Sequence, residues 1–130
     1  MNIGELAAKS GVPAKTIRYY EDSTLIPPAK RDTNDYRIYG PADVARLRFL
    51  RRARSFGFSI DQCRDLLELL NNPDRKSADV KDLTNRHIAE LDRQMKEMRA
   101  LRKQLAEMSE ACAGGEGAEC AILDALVSGS

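Results

Sequence analysis

The stretch from Ser77 to Cys112 constrains this chain more than any other, because it runs without a single Gly or Pro. Its apolar residues fall at Val80, Leu83, Ile88, Leu91, Met95, Met98, Leu101, Leu105 and Met108. From Ile88 onward the steps alternate between three and four, with one extra three, which is the spacing of an apolar seam on a helix. The other faces carry Lys, Arg, Glu, Asp and Gln. A helix of about 35 residues is roughly 50 Å long at 1.5 Å per residue. A small domain has no core that long, so the seam calls for a partner helix, most simply its own copy in a homodimer. The alternative is a long helix folded back on its own domain. His87 interrupts the seam and reads as a satisfied interface residue rather than a ligand. Met95, Met98 and Met108 read as packing rather than metal thioethers.

The helix joins two chemically different ends. Residues 1–56 hold eleven Lys/Arg against six Asp/Glu, whereas the remainder is net acidic and the whole chain carries +1. A basic head suits an anionic partner such as nucleic acid. All seven aromatic residues lie between Tyr19 and Phe58, which places the compact core in the head. No apolar run approaches a membrane span, and Met1-Asn-Ile-Gly-Glu5 lacks a basic-then-apolar signal pattern. The expected location is cytoplasmic, where three cysteines favour free thiols or metal ligands over a structural disulfide.

Taken in order, Asn2 with Glu5 reads as the capping arrangement of a short helix ending at Lys9. Gly11 supplies a tight turn, and Pro13 starts a second helix to about Asp22. Two short helices about a glycine turn are a helix-turn-helix signature. On the second helix Ile17 falls at a core position, while Lys15, Arg18 and Tyr19 project from the outer face. Lys and Arg meet phosphates and guanine acceptors; Tyr meets phosphate or sugar.

Pro27-Pro28 ends helical structure, and residues 29–39 read as a basic β-hairpin with a polar turn. Tyr36 and Ile38 share one face, Arg37 and Tyr39 the other. Such a hairpin after a helix-turn-helix is a wing. Gly40-Pro41 starts a basic helix carrying Arg48, Arg51, Arg52 and Arg54. Half of that arginine face can be merely solvated, with one or two members on phosphate. Ser59 with Gln62 makes a second capping box before a Leu-rich helix, in which Cys63 reads as a small buried hydrophobe. Asn71-Asn-Pro-Asp74 ends that helix, and Ser77 or Asp79 begins the long one. Beyond Cys112 comes a glycine-containing loop to Cys120, then a short helix from Ala121 to Val127 and a frayed end, Ser128-Gly-Ser130.

These residues resemble a known family. Val12-Pro-Ala-Lys-Thr-Ile-Arg-Tyr-Tyr-Glu21, Tyr36-Arg-Ile-Tyr39 and Leu50-Arg-Arg-Ala-Arg-Ser-Phe-Gly-Phe-Ser59 resemble MerR-family transcriptional regulators across essentially the whole chain. Two cysteines bracketing a seven-residue loop, with Ser77 opening the long helix, resemble the copper-efflux (CueR-like) branch, which senses monovalent coinage-metal ions. Pro13 stands where a Ser or Thr cap is usual, and Ala121 where Pro is common. The resemblance implies a homodimer with an antiparallel long-helix pair and binding to double-stranded operator DNA with or without metal. It also implies activation by metal-triggered DNA distortion that realigns the promoter for RNA polymerase.

The loop chemistry agrees with the resemblance. Soft thiolates favour Cu(I), with Ag(I) or Au(I) able to mimic it, and a monovalent d10 ion accepts two sulfurs in a line. Zn(II) usually requires four ligands, and the loop offers no histidine. Cys120 at a helix N-terminus would favour its thiolate. Two thiolates with a monovalent ion leave negative charge, for which Lys81 is a candidate partner if the helices pair antiparallel. Glu116 and Glu119 read as solvated charges. Ser77 is either a helix cap, a selectivity residue, or both. The Cys pair could instead form a redox-switching disulfide, or bind zinc with a recruited ligand.

The expectation is therefore a mainly α chain. Residues 1–70 form a winged helix-turn-helix DNA-binding head and 71–76 a linker. Residues 77–111 form an antiparallel coiled-coil dimerisation helix, and 112–130 a metal-binding loop with a short helix. The expected operator contacts are Lys15, Thr16, Arg18, Tyr19, Arg31, Tyr36, Arg37 and Arg54. The expected metal ligands are Cys112 and Cys120, with Ser77 and Lys81 nearby. The function is metal-responsive transcriptional activation of efflux or detoxification genes, the alternative being a thiol/disulfide redox-sensing regulator. A thiol enzyme or RNA-binding metal carrier finds no support, because no His, Asp or Lys is placed to activate a cysteine.

Overall fold

The computed structural model describes residues 1–129. The chain divides into two compact units, one spanning Met1–Leu83 and one beginning at Thr84. The first unit opens with α1 (Ile3–Ser10) and α2 (Ala14–Asp22), which pack on each other across the turn at Gly11. Asn2 caps α1 by accepting the Glu5 backbone N–H at 2.8 Å. Gly11 ends it in the left-handed region (φ 75°), where a side chain is disfavoured. Pro13 precedes α2 as its N-cap rather than forming its first residue, and it supplies no side-chain hydrogen bond.

A minimal antiparallel hairpin follows. Strand β1 (Lys30–Arg31) pairs with β2 (Arg37–Ile38), with Lys30 opposite Ile38 and Arg31 opposite Arg37. The turn is built by Asp32, whose Oδ1 accepts backbone N–H groups of Asn34 and Tyr36, both at 2.9 Å. The basic helix α3 (Pro41–Ser55) starts where Asp43 accepts the Gly40 N–H at 2.8 Å. Helix α4 (Ile60–Asn71) starts at a reciprocal Ser59–Gln62 capping box.

Leu6, Ile17, Leu47, Leu50 and Cys63 are completely buried and form the centre of the core. Each comes from the inner face of its helix, so the period-3.6 pattern of four helices converges on one cluster. The long helix α5 (Ser77–Ala111) contributes Leu83 to that cluster, which is why the compact unit runs past the 71–76 connector into the helix. Cys63 is a core residue and burial pushes its thiol pKa up, in keeping with an inert packing role.

The second unit comprises α5 from Thr84 onward, the loop to Cys120 and α6 (Ala121–Ser128). His87 is buried. From Ile88 to Leu105 the apolar seam is exposed, with Met98 at 69% and Leu101 at 60%. Helix α6 likewise exposes Leu123, Leu126 and Val127. Ser128 closes α6 and Gly129 follows in the left-handed region, so the expected frayed end starts later than the sequence suggests. Ser130, also expected to fray, lies outside the described residues. No helix is long and apolar enough to cross a membrane among the described residues.

Candidate functional site

Two groups of side chains carry the chemistry, one in each unit. In the first, burial of Ile17 and Tyr20 orients α2, and Lys15, Arg18 and Tyr19 consequently stand on its exposed face. Tyr19 is 55% exposed, and Thr16 is half-buried beside this face. The hairpin presents Tyr36, which is 71% exposed. Arg31 is exposed as well, and its Nη1 donates to the Asp35 carbonyl at 2.9 Å, which pins it to the hairpin turn.

Arg37 has an internal partner that the sequence does not reveal. It is half-buried and its Nη1 lies 3.7 Å from Glu21 Oε2, at the end of α2. The alternation of β2 explains this, because Arg37 shares a face with Tyr39, and that face turns inward. Tyr39 donates its hydroxyl proton to the other Glu21 oxygen. Burial and then the Glu21 hydrogen bond push the Tyr39 pKa up to about 12. Glu21, which sequence reasoning did not single out, thus ties the hairpin to α2 through a side chain only 7% exposed. Its position inside the Tyr-Tyr-Glu run was visible, but its partners are distant in sequence.

Arg54 is also engaged within the protein. Its Nη1 donates to the Phe58 carbonyl at 2.6 Å, and its guanidinium opposes the upward push that burial exerts on the Tyr20 hydroxyl pKa. It remains exposed on its outer side. Arg48 closes the end of α1 by donating to the Lys9 carbonyl from Nε at 3.2 Å and Nη2 at 3.0 Å. This is charge placed where the carbonyls at a helix C-terminus favour it.

In the second unit the structure brings Cys112 and Cys120 together. Both thiols are free and half-buried, and their Sγ atoms are 3.9 Å apart. Gly114 makes the close return possible, since it takes a left-handed φ of 67°. Cys120 is the N-cap of α6 without a side-chain cap hydrogen bond. The amides of Leu123 and Ile122 nevertheless favour its thiolate, and with the Cys112 thiol they hold its pKa below the ordinary thiol value. Two bonds of about 2.3 Å, as in metal thiolates, span up to about 4.6 Å in line and less when bent. A separation of 3.9 Å falls within that reach, so one ion fits between the two sulfurs. Among the described residues no group of three or more His, Cys, Asp and Glu side chains is arranged to hold a metal ion, and the two thiols offer a two-sulfur donor set.

Ser77 and Lys81 are exposed near the start of α5. Ser77 is the first helical residue rather than a cap, and its hydroxyl makes no hydrogen bond among the described residues. His87, expected at the seam interface, is already buried within the single chain.

Comparison with known proteins adds to this geometry. Residues 1–70 match the MerR HTH family regulatory proteins, and residues 44–108 match the MerR DNA-binding family. The HTH-type transcriptional regulator HmrR of Rhizobium leguminosarum is 48% identical over the full length of both chains. The HTH-type transcriptional regulator CueR of Yersinia pestis is 42% identical, over 97% of this chain and 91% of its own. The crystal structure of the transcription regulator PbrR691 from Ralstonia metallidurans, in complex with lead(II), superposes with a TM-score of 0.82 at 35% identity. That match covers 97% of this chain and 98% of the other.

Proposed function

Since the chain belongs to the MerR family of helix-turn-helix regulators, we propose that it is a Cu(I)-responsive transcriptional activator. It is a regulator of transcription and not an enzyme. The observation that carries the metal response is the pair of free thiols 3.9 Å apart, one of them with its thiolate favoured by the amides that open α6.

Cys112 and Cys120 would hold the ion, and a coinage-metal ion there would supply soft-metal coordination that ties the two ends of the loop together. Soft sulfur donors, no third ligand in the loop and a serine at position 77 support a monovalent ion over a divalent one. The relative crystallised with lead(II) marks the competing choice. Two copies pair antiparallel along the exposed seam of α5, and their heads grip two half-sites of double-stranded operator DNA. Lys15, Thr16, Arg18 and Tyr19 meet the major groove, with Arg31, Tyr36, Arg37 and Arg54 at its flanks. Lys81 of one subunit offsets the charge of the partner's thiolate pair. Occupancy of the loop is transmitted through the dimer, distorts the operator and lets RNA polymerase engage the promoter of efflux or detoxification genes. The cytoplasm is where such a promoter is met.

Titration of operator-bound protein with Cu(I), Ag(I), Pb(II) and Zn(II), followed by transcription from that promoter, tests this reading. Activation by the monovalent ions alone is expected; a response to Zn(II) or Pb(II) at equal free concentration overturns it.

The same 3.9 Å separation favours a second reading, redox sensing. There the two thiols lose two electrons and two protons to an oxidant such as a peroxide and form one disulfide. Thiol counting before and after peroxide, in metal-free protein, separates the two readings.

A further inference from the structure

We propose that the cleft between the end of α1 and the C-terminal half of α3 is a second DNA-backbone clamp. It seats operator phosphates beside the groove that α2 enters. The inference rests on the operator-binding reading and extends it to residues outside the helix-turn-helix face and the wing.

The cleft encloses about 520 Å3 and is walled by Lys9, Arg48, Arg51 and Arg52. Its floor is the Ser10–Gly11 turn. Ion pairs neutralise much of the remaining head, joining Arg31 to Asp35, Arg37 to Glu21, Arg46 to Asp43 and Arg64 to Asp61. None of the four cleft cations has a carboxylate within ion-pair distance among the described residues. The positive field of the cleft is therefore uncompensated, and low-dielectric walls concentrate it.

Two of the four cations are also held in place, and a third is closely seated. Arg48 is fixed by its two bonds to the Lys9 carbonyl. Arg52 stacks over the Phe56 ring at 5.2 Å. The Arg51 guanidinium lies over Gly11 so closely that a Cβ there would stand 2.8 Å from Nη1. Glycine at position 11 thus serves the left-handed turn and also leaves room for this cation. Positioned guanidinium groups lose less entropy on meeting a phosphate than free ones.

Continuity selects the occupant. The Gly11 turn leads within three residues to Ala14, the first residue of α2, and Lys15 follows on its exposed face. A duplex whose major groove admits the N-terminal half of α2 carries its sugar-phosphate strands along both sides of that helix. The strand nearest the turn meets the cleft. Phosphates match four uncompensated cations without needing any base-specific geometry.

The test uses Arg51→Gln/Arg52→Gln and, on the opposite wall, Lys9→Gln, with Arg18→Ala measured alongside. Affinity is measured on operator and on scrambled duplex from low to moderate salt, after thermal unfolding has shown each variant folded. The clamp predicts weakening of equal factor on both duplexes. It also predicts a log–log salt slope shallower by about 0.9 for each phosphate that the variant no longer neutralises. An unchanged slope in both cleft variants overturns the clamp. If transcription from saturated promoter then falls, the cleft takes an acidic protein surface instead. Weakening confined to the operator also overturns it. Loss of effect in Arg18→Ala as well would sink operator recognition by α2 itself, so the two failures are distinguishable.

Discussion

Tyr39, on the inner face of the wing, donates its hydroxyl proton to Glu21 at the end of α2, and Glu21 also faces Arg37 at 3.7 Å. One buried carboxylate therefore ties α2 to the hairpin.

Tyr39→Phe should weaken operator affinity by disturbing the wing while leaving α2 intact, and Glu21→Gln should do so more strongly. Arg18→Ala, which removes a side chain from the exposed face, should cost roughly 1–3 kcal/mol of operator binding. A pH signature separates the clasp from simple packing. The Tyr39 pKa is raised from 10.0 to about 12, so the protonated hydroxyl is stabilised by folding. Its contribution is complete below pH 10 and is lost as pH rises to about 12. Denaturant unfolding between these pH values should show a steeper loss of stability in wild type than in Tyr39→Phe. Equal slopes would refute the clasp.

The exposed seam of α5 predicts the oligomer. Ile88, Leu91, Met95, Met98, Leu101 and Leu105 are all exposed in the single chain, a stripe too long to be a chance surface feature. Met98→Glu/Leu101→Glu should convert the protein to a monomer in sedimentation equilibrium and abolish half-site cooperativity. The head should still unfold cooperatively, since its core lies elsewhere. A wild-type protein that sediments as a monomer at micromolar concentration would remove the seam's assigned role.

Much of this architecture is legible in the sequence for local reasons. The absence of Gly and Pro, and the apolar period, mark α5, which spans Ser77–Ala111. Asn2 and Ser59 announce helix starts because capping joins residues only three apart. The alternation of β2 already places Arg37 with Tyr39. What it lacks is direction, since only the fold shows that the face shared by Arg37 and Tyr39 turns toward Glu21. The Glu21 clasp and the Arg48 bond to the Lys9 carbonyl join positions 18 and 39 apart in sequence. No periodicity encodes pairs so distant. The cysteine spacing shows that the thiols bracket a loop, but only the folded loop with Gly114 left-handed brings the sulfurs to 3.9 Å.

Cys112→Ser and Cys120→Ser should each abolish metal-dependent transcription and leave operator affinity within a factor of about two, because the head retains its own core. Cys63→Ser should keep the response and lose stability, since it places a hydroxyl where a fully buried thiol packs. X-ray absorption on the Cu(I)-loaded protein should show two sulfur neighbours. A spectrum with third and fourth light-atom neighbours would support zinc-type coordination in place of the two-thiolate site.

Ser77 gives the sharpest test of ion selectivity. In the antiparallel pair proposed above, the start of one α5 helix would lie near the end of the other, which would place Ser77 of one subunit by the partner's loop. A hydroxyl is a poor soft ligand, so the site keeps two sulfurs and suits a 1+ ion. A thiolate there adds a third soft donor and a further negative charge, both of which favour a 2+ ion. The Ser77 hydroxyl makes no hydrogen bond among the described residues, so its removal breaks no cap. Ser77→Ala should accordingly leave thermal stability within about 0.5 kcal/mol of wild type. Against that control, Ser77→Cys should narrow the preference for Cu(I) over Zn(II) or Pb(II), read by competition with a chelator of known affinity. If Ser77→Cys and Ser77→Ala bind the same ions with the same preference, Ser77 plays no part in the site, and antiparallel pairing loses its link to metal choice.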